Sequence, residues 1–400
     1  MKWTFQPVDS WFFRESRPWS TVGGVELASN FPPPARTVAG AIRTAIGEAK
    51  DVDWLAFSQG RHAELRQYIG SGVSDPNDSN SEFGSFRMRG PYVERNNDLL
   101  FPAPAMLLRS KETGKISLMH PAAKGMHCDL GSSVRLPHAA GLLGAATLDG
   151  HWCSAEGLGS VLRGDAPPPE SLVDRDALVA DDARVGIARD NSLRTVHDGL
   201  RYQTSHVRLK NGVRIVAYVD GIPDDLQRKC DGATIRFGGE GRLAHITVSP
   251  RVQSDVPAPR STPKRLTAIL VLVTHSPADA GCEHLPPGFH RVDDQHGSST
   301  SWRGTIRGVE MYIDSCATGR LVREGGWNAT TMTPRPVESF TPAGSCYFCR
   351  AVGSDPEWFA RIAKLHGQSI RGNSGDQDPL GRGEIVVGIW NDQISSGGAQ

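Results

Sequence analysis

The sequence has 400 residues, with 44 lysines and arginines matched by 44 aspartates and glutamates and a hydrophobic content of 38%. Single cores seldom grow past about 250–300 residues, so two domains are expected. A net charge of zero supplies no overall field for a polyanion, which argues against a free-standing nucleic-acid binder but leaves room for a local basic groove in a subunit that shares its ligand with protein partners. The first ten residues, MKWTFQPVDS, lack the apolar run of a secretory leader, and the longest apolar stretch, LTAILVLVT at 266–274, is too short to cross a bilayer. Seven scattered cysteines then read as reduced thiols of a cytoplasmic protein.

In chain order, residues 2–14 begin with near-alternating apolar and polar positions, the pattern of a first strand running into a loop. Pro32, Pro33 and Pro34 form an extended lead-in that cannot be interior helix. Residues 35–48 then have helical period, with Val38, Ile42, Ala45 and Ile46 on one face. Arg36, Gly40, Arg43 and Gly47 fall on another stripe of that helix. Two interior glycines, each costing about 1 kcal/mol relative to alanine, imply close approach of something large to that stripe, either a phosphate backbone or a partner helix. Residues 71–100 are rich in Ser, Asn, Asp and Gly and read as a mobile insertion. Strands are expected in 101–109 and 116–120. The pattern from 121 to 183 is weak, with APPPES at 166–171 as a loop. Further strands are expected at 184–190, 213–221, 266–274, 308–316 and 344–352, with strand, glycine loop, strand across 232–248 and a closing strand after the glycine-rich 371–383. Mixed helix and strand with many turns define an α+β class.

Three glycine-rich segments carry or adjoin arginines or an aromatic: Gly238-Gly239-Glu240-Gly241-Arg242, Gly325-Gly326-Trp327, and Arg371-Gly372 through Arg382-Gly383. Glycine lets a backbone approach a phosphate, and an arginine fork grips one bidentately; taken singly, such a segment is more often a tight turn. None has the ending or the strand-to-helix setting of a nucleotide-binding loop, so no cofactor is expected. Trp11, Phe12, Phe13 and Trp19 beside Arg14 and Arg17 are of the types that stack on unpaired bases, with some of the aromatics expected in the core. Cys346 and Cys349, three apart on a strand, face opposite sides and do not form a metal site. Cys282, His284, His290 and His296 share a loop at a spacing that fits no common zinc site. No histidine among His120, His127, His138, His151, His197 and His206 is singled out by a neighbouring motif, and no nucleophile-elbow serine or paired-carboxylate metal motif is present, so no metal and no catalytic constellation is expected.

PVDSWFFRESRPW with FPPPARTVAGAIRTAIGE resembles the third subunit of Cmr complexes, the type III-B CRISPR effector assemblies, within the RAMP superfamily of RNA-binding proteins. IRFGGEGRLAHI (235–246), GGWNATTMTPRPVESFTPAGSCYF (325–348) and GRGEIVVGIW (381–390) are similar to the same family in the same order, while residues 50–180 carry little of the likeness. The resemblance implies two ferredoxin-like, RRM-like domains with loop and helical insertions, placed at 1–200 (with an insertion at about 50–180) and 201–400. It implies a cytoplasmic, non-catalytic antiviral-defence subunit that binds the 5′ handle of the CRISPR RNA and meets the large polymerase-like subunit and backbone RAMP subunits, with no membrane. Carried over by motif, RNA contact falls on Arg14, Arg17, Arg36, Arg43, Gly239, Gly241 and Arg242, and more loosely on Arg371 and Arg382, whose loop contains an acidic insertion. Two alternatives stand beside this: a RAMP endoribonuclease using a histidine, with His245 and His366 nearest the glycine loops, and a structural adaptor whose arginines meet acidic protein surfaces.

Overall fold

The computed structural model describes residues 1–15, 26–75, 77, 81–139, 144–251, 265–278, 284–293, 300–372 and 378–390. Two antiparallel sheet centres dominate it. The first is built from β1 (Lys2–Pro7), helix α1 (Ala35–Glu48), β2 (Arg87–Arg95), β3 (Val213–Asp220), the short helix α2 (Asp224–Arg228) and β4 (Leu243–Ser249). Its central order is β4-β1-β3-β2, every pairing antiparallel. The second is built from β5 (Thr267–Leu272), β6 (Val309–Ala317), β7 (Cys346–Ala351), helix α3 (Trp358–Ala363) and β8 (Glu384–Gly388), in the order β8-β5-β7-β6, again antiparallel. Both centres thus place the strands in the same relative order. In the first, α1 carries the chain from β1 past the intervening β3 to β2, a split βαβ crossover. Between β5 and β6 no helix occurs among the described residues. Further strands extend the sheets to eight and nine members.

Burial explains the sequence pattern. Ala268, Leu270 and Leu272 of β5 enter one core while Ile269 and Val271 enter another. The continuous apolar run at 266–274 is therefore a strand covered on both faces. β3 behaves likewise: Ile215, Ala217 and Val219 face α1, and Val216 and Tyr218 face the second sheet. The layers run α1, first sheet, a shared core containing the helix Ala155–Leu162, second sheet, α3.

Helix α1 occupies the expected residues, and Val38, Ile42, Ala45 and Ile46 are all buried in the first core. The expectation of a mobile insertion at 71–100 is corrected: Arg87–Arg95 and Asp98–Pro102 are sheet strands. Their polar composition hides the pattern, because Met88, Tyr92 and Val93 are buried while Arg87, Arg89 and Arg95 sit at half-buried positions. Glu94, also buried, is paired with Lys2 and lies 3.7 Å from Arg214. The helix Ala155–Leu162 went unread because two of its eight residues are glycine; Ser154 caps it by accepting from the Gly157 amide at 3.2 Å. Val179–Asp190 and Thr195–Leu209 form a long antiparallel hairpin exposing Val185, Ile187, Leu193 and Tyr202. Residue 200 falls inside its second strand, and the first sheet takes strands from both sides of it.

The segment 378–384 clasps the two sheets. The Met88 amide donates to the Pro379 carbonyl at 2.9 Å, and the Thr274 hydroxyl donates to the Gly381 carbonyl at 2.8 Å. The buried Glu384 carboxylate accepts from the Tyr92 hydroxyl and from Arg89 Nη2. Gly381 has φ +67°, and a Cβ there would lie 2.4 Å from the Met88 carbonyl oxygen. Gly232 has φ +77° but open space around it. Gly381→Ala is expected to cost about 3 kcal/mol or more of unfolding free energy, against about 1–2 kcal/mol for Gly232→Ala, where only the left-handed backbone is penalised; urea unfolding of the two variants measures the difference.

Candidate functional site

Helix α1, the hairpin Val322–Glu324/Glu338–Thr341 and the 378–384 clasp meet at one small cavity, lined by Arg36, Glu324, Arg335, Glu338, Phe340 and Arg382 among others. Arg36 is on α1 because the proline lead-in starts the helix one residue before it. Its Nη1 donates to Glu82 Oε1 at 2.5 Å, and Arg335 Nη1 lies 3.3 Å from the same oxygen. Arg43, two turns along α1, donates from Nε to the Ile69 carbonyl at 2.6 Å and from Nη2 to the Glu82 carbonyl at 2.9 Å. Both α1 guanidinium groups lie over the Phe83 ring, at 5.7 and 5.3 Å from its centroid. Arg382 reaches Asp378 at 2.9 Å, lies 3.8 Å from Glu338, and sits over Phe340. Four arginines thus gather around Glu82, Glu338, Asp378 and Glu324.

The electrostatics are those of a crowded, partly dry cluster. Burial pulls Arg43 down to about 10, helped by Arg335 and Arg36, with Glu82 opposing. Burial and Arg36 also lower Arg335. Glu324 stands opposite Glu338 across two antiparallel strands. Burial pushes its carboxyl up to about 7, Glu338 adds to the rise, and Arg382 and Arg36 oppose it. Glu324 and Arg382 also line an adjoining, more apolar cleft between the sheets, walled by Pro32, Tyr92, Trp152 and His275. His275 is pushed down to about 4 by burial, and its Nδ1 accepts from the Ala343 amide at 2.9 Å.

A second gathering lies at the root of the long hairpin. Asp9 accepts from Arg184 at 2.8 Å and Arg208 at 2.7 Å, Asp182 accepts from the same two arginines, and Arg242 stands 3.6 Å from Asp9. Its two arginines hold the Asp9 carboxyl down at about 2. The glycine loop packs on the chain at Phe12: the Gly239 amide donates to the Phe12 carbonyl at 2.8 Å, and a Cβ on Gly238 would lie 2.6 Å from that oxygen. Gly241 has φ +63° and open space.

Of the sequence-derived residues, Arg36, Arg43 and Arg382 come together, and Gly239, Gly241 and Arg242 come together at the other gathering. Arg14 is half-buried, its backbone bridged to Ser29. The Arg371 carbonyl accepts from Arg307 at 3.3 Å, on a turn beside Ser369. Arg17 and Trp19 lie outside the described residues, as do Cys282 and His296. The reading of Trp11, Phe12 and Phe13 as a stacking surface is corrected: all three are buried, Trp11 and Phe13 edge-on to Phe237 and Phe12 stacked on His206. The helix-stripe glycine Gly47 meets Trp54 of the same chain. Cys346 faces the shared core and Cys349 the outer one, and burial pushes Cys346 up to about 12 and Cys349 well above its ordinary value. His366 accepts from the Val387 amide at 3.2 Å, and His245 is exposed on β4. Sequence reasoning missed Arg335, Glu82, Glu324 and Glu338; the one local signal was an arginine fixed between two prolines, Pro334-Arg335-Pro336.

Two sheets of similar strand order with few helices make this a mixed α+β protein. The chain belongs to the CRISPR-associated protein family Cas_Cmr3, whose model matches residues 3–390. A 65-residue stretch is 35% identical to the CRISPR system CMR subunit Cmr3 of Saccharolobus solfataricus, spanning 16% of this chain and 20% of that protein. Among solved structures, a chain of the type III-B Cmr-beta assembly bound to cognate target RNA is similar at 15% identity, over 87% of this chain and 86% of that one, with a TM-score of 0.46. A chain of the Csm3–Csm4 subcomplex of the type III-A interference complex is similar at 9% identity over 98% and 99% of the two chains, with a TM-score of 0.38. No helix among the described residues is long and apolar enough to cross a membrane.

Glu324 yields a signed expectation. Its folded-state pKa, about 7, lies above the ordinary 4.5, so the folded chain holds this proton more tightly than the unfolded chain. Its contribution to stability is complete below about pH 4.5, falls as pH rises, and has gone above about pH 7. Glu324→Gln removes that titration. Between pH 5 and pH 8 the wild type is expected to lose on the order of 2 kcal/mol more than the variant, as read by urea unfolding at the two pH values.

Proposed function

We propose that this chain is a non-catalytic, RNA-binding subunit of a type III-B CRISPR effector complex. In this reading it holds the 5′ handle of the CRISPR RNA and docks on the large polymerase-like subunit and on a backbone RAMP subunit, and each sheet centre is the core of a ferredoxin-like unit. Membership of the Cas_Cmr3 family supports the assembly; the observation that carries the RNA role is the meeting of Arg36, Arg335 and Arg382 at one cavity. These three come from parts of the chain nearly 350 residues apart, and each lies in a block that carries the family resemblance. Arginines from separate segments facing a common opening suit a ligand with successive phosphates better than a point contact does. Arg242 with the Gly239–Gly241 loop, together with Arg14 and Arg17, is assigned a second stretch of the same strand of RNA. A balanced net charge then belongs to a subunit whose remaining surface meets other proteins.

The experiment is to tag the chain, express it with its neighbouring genes, and sequence the RNA that purifies with it. RNAs sharing one repeat-derived 5′ end, with a large polymerase-like partner, are the expected result; a chain that purifies alone and free of RNA overturns the reading. Arg36→Ala with Arg382→Ala is expected to weaken handle binding roughly tenfold or more. It is also expected to lower the slope of log affinity against log salt by about 0.7 for each phosphate no longer neutralised, measured by titration at several salt concentrations.

A further inference from the structure

Glu82 is the only carboxylate set against both Arg36 and Arg335 among the described residues. Its oxygen Oε1 sits 2.5 Å from one guanidinium and 3.3 Å from the other, where an anionic oxygen of a phosphodiester would be held by two arginines. The backbone carbonyl of the same residue engages Arg43, so three cations converge on one acidic residue. The backbone at Glu82 is held in place: its carbonyl accepts from Arg43 Nη2 at 2.9 Å and from the Gly72 amide at 3.1 Å, and the next residue, Phe83, is buried in the first core. The carboxylate itself is held by its pairing with the two arginines.

We propose that Glu82 is an internal stand-in for phosphate: Arg36 and Arg335 form a site for one phosphodiester group of single-stranded RNA, which the Glu82 carboxylate fills in the free chain and the RNA displaces. This rests on the RNA-binding reading above and adds to it the position of one phosphate and a tethered competitor for it. A tethered carboxylate acts at an effective concentration in the millimolar range, so it weakens RNA binding without blocking it and rejects anions that bring only a single weak contact. Displacement turns the Glu82 side chain away from the two arginines while its backbone stays held by Arg43 and the Gly72 amide.

The test uses the full chain and a dye-labelled eight-nucleotide single-stranded RNA, read by fluorescence anisotropy. Glu82→Gln keeps the shape of the side chain and removes its charge. It is expected to bind the RNA roughly tenfold more tightly while unfolding at a lower temperature, because the arginine cluster then loses one counter-charge. Arg335→Gln is expected to bind more weakly, and the double variant to lose the gain. A merely structural Glu82 would lower affinity and stability together. Weaker or unchanged binding by Glu82→Gln, with Arg335→Gln still weakened, overturns the stand-in and leaves the RNA reading in place. Unchanged binding by both places the RNA elsewhere and overturns the stand-in; no binding by wild type or variants overturns both readings.

Discussion

The buried carboxylate of Glu384 is the point on which the two halves of the molecule depend. It lies at the start of the last described strand of the second sheet and accepts from Tyr92 and Arg89 of the first. A carboxylate taken out of water persists only if its oxygens are met by well-placed donors, and removing one partner of such a group costs about 3–5 kcal/mol. Satisfying Glu384 holds the strand after the clasp against β2, and the clasp in turn sets Arg382 facing the hairpin that carries Glu324, Glu338 and Arg335. The position of the arginine-lined cavity thus follows from a hydrogen-bonding demand in the interior.

Around that cavity two electrostatic regimes meet. Arg43 and Glu324 lie deep enough for burial to weaken their charged forms, while Asp9 and Asp182, at the open root of the hairpin, are held ionised by paired arginines. Surface pairs of the second kind contribute little to stability, but two carboxylates each shared by the same two arginines fix geometry. They aim the long hairpin relative to β1 and the glycine loop.

How much was legible depended on the range of the interactions. Helix α1 was readable to the residue because its proline lead-in and its period are local properties. The strands at 266–274, 213–221 and 344–352 were readable because burial on both faces leaves a long apolar run. The strand Arg87–Arg95 was not, since its outward arginines and its buried Glu94 gave it the composition of a loop. The destination of the Arg36 side chain was invisible for a different reason: Glu82 is 46 residues away and Arg335 nearly 300, and no local pattern connects them. The aromatics at 11–13 were read by chemical type, whereas their surroundings, Phe237 and His206, decided their burial. Arginines and aromatics advertise a function that only tertiary contacts assign.

The strand order of the first sheet has a consequence for synthesis of the chain. β1 has no sheet neighbour until β3 and β4 exist, and its register partners run from Ile215 to Ser249. At about 5–20 residues per second, a ribosome takes on the order of tens of seconds to deliver them. Through that interval Trp3 and Phe5, both fully buried at the end, have no sheet to cover them. The nascent protein must keep its first strand from pairing with another chain, a burden that falls on α1 and on whatever holds the emerging polypeptide.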